Sequence, residues 1–198
     1  APFSKPNFSQ GESMPMFFSS ETAFLRAEGA LRGWNMGGTA QELYEQGVTL
    51  SFTERGVSGV GKYLSDNTST PEDYTSPVES SRLSYQVQTE ITVAWEESAP
   101  FEEKLERIIT QKWIANFPNG MEAWSEYRRT GYPKLMPMAA NESKGVVDDQ
   151  EGARRMPYPA NEYRENKEYV EAAAIVLGEE SNTKKGDTMA THVWWDCK

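Results

Sequence analysis

The pattern of apolar residues is helical in two neighbouring segments near the start of the chain. Between 21 and 33, a stripe with a period of about 3.6 residues contains Phe24, Ala27, Glu28 and Leu31. A glycine-rich stretch at 34–38 interrupts this pattern. Thr39 with Glu42 then has the capping-box spacing that begins a second helix. This second helix is predicted to run to about Arg55 and to bury Ala40, Leu43, Tyr44, Gly47, Val48 and Leu50.

Two helices joined by a short turn predict an antiparallel hairpin over 21–56. The small residues in its seam are typical of a tetratricopeptide unit. Stacked repeats of this kind need about three units to bury a continuous core, and only one is visible here. The chain also begins at Ala1 without an initiator Met or a signal peptide. We therefore expect it to be the C-terminal part of a longer protein.

From 57 to 100 the apolar period is lost, and Gly, Pro, Ser and Thr dominate. We predict one short helix near 57–65, followed by a long irregular excursion. Within the excursion, apolar and polar residues alternate at 85–88 and 91–93, which predicts two short strands. Irregular segments of this length are usually functional.

The strongest helical pattern follows at 101–117. Its apolar residues recur at every fourth position, namely Phe101, Leu105, Ile109, Trp113 and Phe117, with Ile108 and Ile114 beside them. A shorter helix is predicted at 121–129. We interpret the large rings on these two helices, including Trp124, as core residues.

The last third of the chain is predicted to be a crossing segment followed by a helix at 161–177, which is interrupted near Asn166 and capped by Gly178. The whole pattern indicates a mostly α fold. It combines a tetratricopeptide-like hairpin with further helices and long irregular loops. We interpret 1–198 as part of one domain, divided into the hairpin (21–56), an aromatic-rich excursion (57–100) and C-terminal helices with crossing segments (101–198).

Charge and cysteine content exclude several classes of protein. The net charge is −10, which disfavours nucleic acid as a partner. The longest apolar run, at 172–177, is far too short for a membrane span of about 20 residues. Cys197 is the only cysteine, so a disulfide within the chain and a thiolate-rich metal site are both impossible.

Catalytic chemistry is not indicated by any motif. His192 is the only histidine, and its neighbours Val193 and Trp194 are typical of a packed or surface residue. The acidic pairs at 102–103 and 148–149 are interpreted as solvated charge, because adjacent residues on a helix point apart. No phosphate loop, metal motif or nucleophile motif is present. We therefore predict no catalytic residue, no metal and no cofactor, and hence no enzymatic activity.

Four aromatic residues lie on the polar, irregular chain between 57 and 100. Rings exposed on such chain can stack on the apolar face of a sugar or on a partner protein, or they can pack the loop onto the domain. The candidate ligand-binding residues are Tyr63, Tyr74, Tyr85 and Trp95.

A resemblance to a known family is carried by five segments in order. The most specific is 111–133, which reads QKWIANFPNGMEAWSEYRRTGYP. The others are FLRAEGALRG at 24–33, LYEQG at 43–47, RRMPYP at 154–159 with Glu162, Tyr163 and Asn166, and VWWD at 193–196. Together they resemble the C-terminal part of the SusD/RagB family of nutrient-binding outer-membrane lipoproteins of Bacteroidetes.

This resemblance implies a helical superhelix built on tetratricopeptide-like hairpins, and a protein displayed on the surface of the outer membrane. It implies attachment through a lipidated N-terminal cysteine, which this chain does not contain because Cys197 is at the opposite end. The implied function is non-enzymatic capture of a glycan or another oligomeric nutrient, and its delivery to a SusC-like TonB-dependent transporter. An alternative is a module that contacts the transporter, with ligand binding in an N-terminal half outside this chain.

Overall fold

The computed structural model describes residues 11, 15–79, 83–138, 140–180 and 186–196. Cys197 lies outside the described residues. The helices are α1 (Ser19–Leu31), α2 (Ala40–Glu54), α3 (Val60–Leu64), α4 (Phe101–Ala115), α5 (Gly120–Thr130), α6 (Ala160–Glu165) and α7 (Lys167–Glu180). The predicted mostly α fold is confirmed. Within the described part of the chain, no helix is both long and apolar enough to cross a membrane.

The chain forms two compact units. The first contains the described residues of 1–73, 86–127 and 132–134, and the second contains those of 74–85, 128–131 and 135–198. The hairpin and α4 belong to the first unit, and α6 and α7 belong to the second. The proposed division of 1–198 into three parts of one domain stays a prediction.

The hairpin of α1 and α2 is confirmed together with its capping box. The Glu42 amide donates to the Thr39 hydroxyl at 3.1 Å, and the Thr39 amide donates back to the Glu42 carboxylate at 2.8 Å. The helices pack closely where Gly47 faces Phe24. A Cβ added at Gly47 would lie 2.7 Å from a Phe24 ring carbon. This close approach places both helices around a core cluster that includes Tyr44 and Val48.

The buried face of α4 differs from the prediction. Leu105, Ile108 and Ile109 are buried. Four other residues that the pattern placed on the same apolar face are substantially exposed, namely Phe101 (39%), Trp113 (39%), Ile114 (49%) and Phe117 (58%). Residues spaced strictly by four drift about 40° around a helix at each step, because a turn takes about 3.6 residues. The stripe that starts at Leu105 therefore reaches Lys112, which is 1% exposed, rather than Trp113. Trp124 on α5 is only half-buried.

The two predicted strands are wrong. Among the described residues there is no β-strand, and the segment contributes only an isolated antiparallel bridge between Tyr74 and Tyr85. Burial does alternate along this segment, with Val87, Thr89 and Ile91 half-buried and their neighbours Gln88 and Glu90 exposed. The backbone amide of Val87 bonds to a side chain instead of a partner strand, since it donates to the Asp73 carboxylate at 2.8 Å. The alternation of apolar and polar residues therefore indicates an extended chain that has no partner strand in the described part of the protein.

In the second unit, the interruption at Asn166 is confirmed, since it caps α6 before α7 begins. The predicted cap at Gly178 is wrong, because α7 continues through it to Glu180. A glycine costs only about 1 kcal/mol inside a helix, and the glutamates that follow favour helix. The buried Arg154 anchors the unit, because its Nε donates to Asp196 at 2.8 Å and its carbonyl accepts from Arg128 at 2.7 Å.

Candidate functional site

Tyr63, the first predicted ligand residue, packs within the first unit. Its ring centroid lies 5.2 Å from that of Phe52, and its hydroxyl donates to Gln111 at 3.0 Å. Helix α3 begins after Gly59, whose φ of +93° is readily adopted by glycine. This turn directs Tyr63 onto the core cluster of the hairpin. The contacts of Tyr63 are those of a residue that packs its loop onto the domain.

Tyr74 and Tyr85 lie in the second unit, where their backbones exchange two hydrogen bonds of 2.9 Å. Tyr74 is 45% exposed. The Tyr85 hydroxyl is buried, and it has no hydrogen-bond partner among the residues that the structure describes. The structure therefore brings these two candidates together, and of the two it exposes the ring of Tyr74.

Trp95 lies in the first unit and packs on one side against Tyr44, with ring centroids 5.4 Å apart. The Tyr44 hydroxyl donates to the Val93 carbonyl at 2.6 Å and so holds the segment that carries Trp95. The indole nitrogen of Trp95 donates to Glu97 at 2.7 Å, and the ammonium of Lys104 lies 5.8 Å from the ring centroid. These contacts fix the ring in one orientation.

Trp95 forms one wall of a cleft of about 520 Å³, which we call the aromatic cleft. The turn between α1 and α2 also lines it. The aromatic, charged and amide side chains in this cleft are Trp34, Gln41, Trp95, Glu97 and Lys104. Trp34 is 63% exposed, so the cleft offers a large aromatic surface to solvent.

The turn between α1 and α2 explains the position of Trp34. Helix α1 ends before Gly33, which has a φ of +84°, and the Trp34 amide donates to the Gly29 carbonyl at 2.9 Å. The Arg26 guanidinium secures the far side of the turn by donating to the Met36 carbonyl at 2.6 Å. The Trp34 ring lies against Gly29, where an added Cβ would be 3.3 Å from a ring carbon. A rigid turn therefore presents this indole.

Sequence reasoning did not identify Trp34 as a candidate, although the signal was available. A large ring in a glycine-rich turn has no helical stripe to bury it. The rule that selected the aromatic residues of 57–100 applies equally to 34–38.

Electrostatics in the aromatic cleft centre on Glu97. Hydrogen bonds from the indole of Trp95 and from Lys104 hold the pKa of this carboxyl below its ordinary value. The Lys104 ammonium lies 3.2 Å from the carboxylate. Glu97 is therefore an ionised acceptor at neutral pH, next to a charged donor and an exposed indole. Indole faces with adjacent charged donors and acceptors are suited to binding sugar rings and their hydroxyl groups.

His192 lies in the second unit and is buried. Its Nε2 lies 2.6 Å from Glu151, and its Nδ1 lies 3.1 Å from the Asp196 carbonyl. Both ring nitrogens are thus engaged by the chain itself. In the described part of the chain, no group of three or more His, Cys, Asp or Glu side chains is arranged to hold a metal ion.

Comparison with known families identifies the class of protein. The family model described as SusD and RagB outer membrane lipoprotein matches residues 1–196. The chain therefore belongs to the SusD-like family, as its sequence segments indicated. A comparison with curated proteins gives no match.

Solved structures agree with this assignment. The chain is 65% identical to a SusD homologue from Bacteroides ovatus, with a TM-score of 0.81 over 90% of this chain and 37% of that one. It is 49% identical to a chitin-binding SusD homologue from Flavobacterium johnsoniae, with a TM-score of 0.80 over 90% of this chain and 36% of that one. A SusD-like protein from Bacteroides thetaiotaomicron is 44% identical, with a TM-score of 0.83 over 93% of this chain and 37% of that one. The chain thus spans little more than a third of these relatives.

Proposed function

We propose that this chain takes part in non-enzymatic capture of a glycan, or of another oligomeric nutrient, at the surface of the outer membrane. The observation that carries this proposal is the aromatic cleft, in which Trp34 and Trp95 form walls beside Glu97 and Lys104. Pyranose rings stack on indole faces, and their hydroxyl groups pair with such charged side chains. Membership of an outer-membrane lipoprotein family and likeness to a chitin-binding relative support the same function.

Capture without chemical change is supported by the state of Glu97. A glycosidase uses two carboxyl groups, one of which donates a proton. Glu97 is the only carboxylate among the described residues that line the aromatic cleft. Its lowered pKa keeps it ionised at neutral pH, so it is a poor proton donor. The cleft is therefore suited to holding a sugar rather than to cleaving it.

The later steps of the proposed function follow from the family. We propose that the complete protein is held on the cell surface by an N-terminal lipid, and that it passes its ligand to a SusC-like TonB-dependent transporter. The family description as an outer membrane lipoprotein supports this placement.

Calorimetric titration with a panel of neutral oligosaccharides, including chitin and starch fragments, tests the proposal. Trp34→Ala and Trp95→Ala should each weaken binding of the preferred oligosaccharide by about tenfold, because each removes an aromatic face on which a sugar ring can stack. Tyr169→Ala is the matched control, since Tyr169 is 73% exposed on α7. Tyr74→Ala tests the exposed candidate in the second unit. Unchanged binding in both tryptophan variants would refute the aromatic cleft as the ligand site.

A second function is favoured by the exposed apolar surface at the end of α4 and in the residues that follow it. Trp113, Ile114 and Phe117 line a shallow apolar cavity of about 400 Å³ in the first unit. Such patches are typical of protein interaction sites. In this alternative, the chain contacts the transporter, and the ligand binds in the part of the longer relatives that this chain does not span. Phe117→Ser should then abolish co-purification with a SusC-like transporter, whereas Trp34→Ala should leave it intact.

A further inference from the structure

A second cleft in the first unit is strongly acidic. It has a volume of about 820 Å³, which lies within the usual range of small-molecule sites, roughly 300–1,000 Å³. Its walls are the extended segment 87–91 and the start of α4, and they carry Glu90, Glu102, Glu103 and Glu106. None of the described residues that line it is a lysine or an arginine. We call it the acidic cleft.

Two of the four carboxylates are bound by the protein itself. Glu102 accepts a hydrogen bond of 3.0 Å from the Tyr132 hydroxyl, and Glu103 pairs with Arg107 at 3.1 Å. Lys134 is close to the cleft, but its ammonium lies over the Tyr132 ring, 4.7 Å from the centroid. The residues that line the cleft therefore carry an excess of negative charge.

Glu106 stands apart from the other three. Its side chain lines the acidic cleft although the residue is only 9% exposed, and its Oε1 is buried. No hydrogen-bond partner for this oxygen is found in the described part of the chain. A buried carboxylate oxygen without a partner is unfavourable, because it has lost its hydration without gaining a hydrogen bond. Glu106 is thus suited to a positively charged group supplied by a ligand.

Tyr132 responds to the same accumulation of negative charge. Burial raises the pKa of the Tyr132 hydroxyl to about 12, and the carboxylates of Glu102 and Glu106 contribute to the rise. The hydroxyl therefore stays protonated and remains a hydrogen-bond donor.

The arrangement of the carboxylates distinguishes between two kinds of cation. Within the described residues, no three acidic, histidine or cysteine side chains converge in a way that could hold a metal ion. An ammonium group has weaker geometric demands, since it brings its own hydrogen-bond donors and pairs with one or two carboxylates at a time. Val87, Ile91 and Pro100 add apolar surface to the same cleft, which suits the carbon face of a ring.

We propose that the acidic cleft binds a hexosamine with a free, protonated amine, so that the captured glycan contains unacetylated amino-sugar units. This inference rests on the proposed function, because it specifies the ligand class of a glycan-binding protein. Glu106 would pair with the ammonium, and the exposed Glu90 at the rim would attract it.

Calorimetry with two tetrasaccharides tests this inference directly. Tetraglucosamine and its fully N-acetylated counterpart have the same backbone and differ in the charge on the amine. The titration is performed at mildly acidic pH, where the amines of tetraglucosamine are protonated. Tetraglucosamine should bind at least tenfold more tightly, and Glu106→Gln should remove most of that preference. Equal affinity for the two sugars would overturn the inference.

The control variant is Glu168→Gln, which removes one negative charge from an exposed position of α7. General attraction of a polycation to an acidic protein would be weakened equally in this variant and in Glu106→Gln, and that outcome would also overturn the inference.

Glu90→Gln provides a second test at an exposed residue, where misfolding is not a concern, and should weaken tetraglucosamine binding several-fold. If calcium binds in the acidic cleft and tetraglucosamine does not, the cleft is a metal site, and the proposal that it binds an amine is contradicted.

The two proposals fail in different ways. If a neutral oligosaccharide requires Trp34 but tetraglucosamine gains nothing from Glu106, the proposed function stands and the inference about the acidic cleft fails. If tetraglucosamine binding requires Glu106 while no sugar requires Trp34 or Trp95, the aromatic cleft is not the ligand site, and the inference about the acidic cleft stands.

Discussion

The ammonium of Lys112 lies 2.9 Å from a carboxylate oxygen of Glu122, although the Lys112 side chain is almost completely buried. Glu126 lies 3.2 Å from the same nitrogen and Glu21 lies 4.0 Å from it. One buried cation from α4 thus lies beside three carboxylates, one from α1 and two from α5. Removing the cation would take this opposite charge away from the buried Glu21 and from its two acidic neighbours.

Lys112→Met should therefore destabilise the chain by about 3–5 kcal/mol, because breaking a buried ion pair on one side leaves the other side uncompensated. Urea unfolding measures the change. Lys167→Met is the control, since Lys167 pairs with Glu171 on the exposed surface of α7, where such pairs contribute about 1 kcal/mol or less. Equal effects of the two substitutions would contradict the buried cluster.

Glu21 gives the same cluster a pH dependence. Burial raises the pKa of the Glu21 carboxyl above its ordinary value of 4.5, and Glu122 and Glu126 add to the rise against the opposing charge of Lys112. A raised folded-state pKa means that the stability contribution is complete below the unfolded-state pKa and is lost as pH rises through the folded-state pKa. Glu21→Gln should therefore match the parent chain near pH 4 and exceed its stability near pH 7. Urea midpoints across this range test the prediction, and a difference that does not vary with pH would contradict it.

The pKa of the Asp187 carboxyl is shifted in the opposite direction, below its ordinary value. Burial alone would raise the pKa of its carboxyl, but hydrogen bonds from Tyr163 (2.6 Å), from Arg155 and from the Tyr158 amide (3.1 Å) outweigh burial and lower it. Its contribution to stability is therefore present above the unfolded-state pKa and is lost as pH falls through the lower folded-state value. Asp187→Asn should cost about 2 kcal/mol at neutral pH. The cost should shrink in acid, as thermal unfolding at a series of pH values can show. A constant cost would mean that the carboxylate charge plays no part.

The contact between Gly47 and Phe24 provides a test of packing. Gly47→Ala should destabilise by about 1–3 kcal/mol, because the new methyl group overlaps the Phe24 ring. The higher helix propensity of alanine, worth about 1 kcal/mol, offsets only part of this. Gly61→Ala in α3 has open space around the new methyl group and should be neutral or stabilising. Thermal unfolding of the two variants separates packing from propensity, and equal shifts would contradict the close approach.

Local signals explain which elements could be predicted from the sequence. The capping box of Thr39 and Glu42 and the interruption at Asn166 act within a few residues, so the pattern alone located α2, α6 and α7 well. The strands failed because alternation of burial does not show whether a partner strand exists. Trp113 and Phe117 were assigned to the core because a four-residue spacing was read as one stripe, whereas it drifts around the helix.

The candidate site was less predictable than the fold. Tyr63 and Trp95 have similar polar surroundings in the sequence, yet long-range contacts with Gln111 and Tyr44 settle how each ring is packed. Those contacts join residues about 50 positions apart, as the 49-residue separation of Tyr44 and Val93 illustrates. The acidic cleft likewise depends on an extended segment that carries Glu90 and a helix that carries Glu106, and the fold brings both to one cleft. Local sequence identified Trp95 and could also have identified Trp34, because both rings lie on irregular chain outside the helical stripes.

Indole resonances in an NMR titration test the central claim most directly. The chain has six tryptophans, so its indole region is simple enough to assign with single Trp→Phe variants. We predict that a bound oligosaccharide shifts the indole signals of Trp34 and Trp95 and leaves that of Trp194, which is 88% exposed in the second unit, unchanged. Saturable ligand binding with the Trp34 and Trp95 signals unmoved would contradict glycan capture in the aromatic cleft.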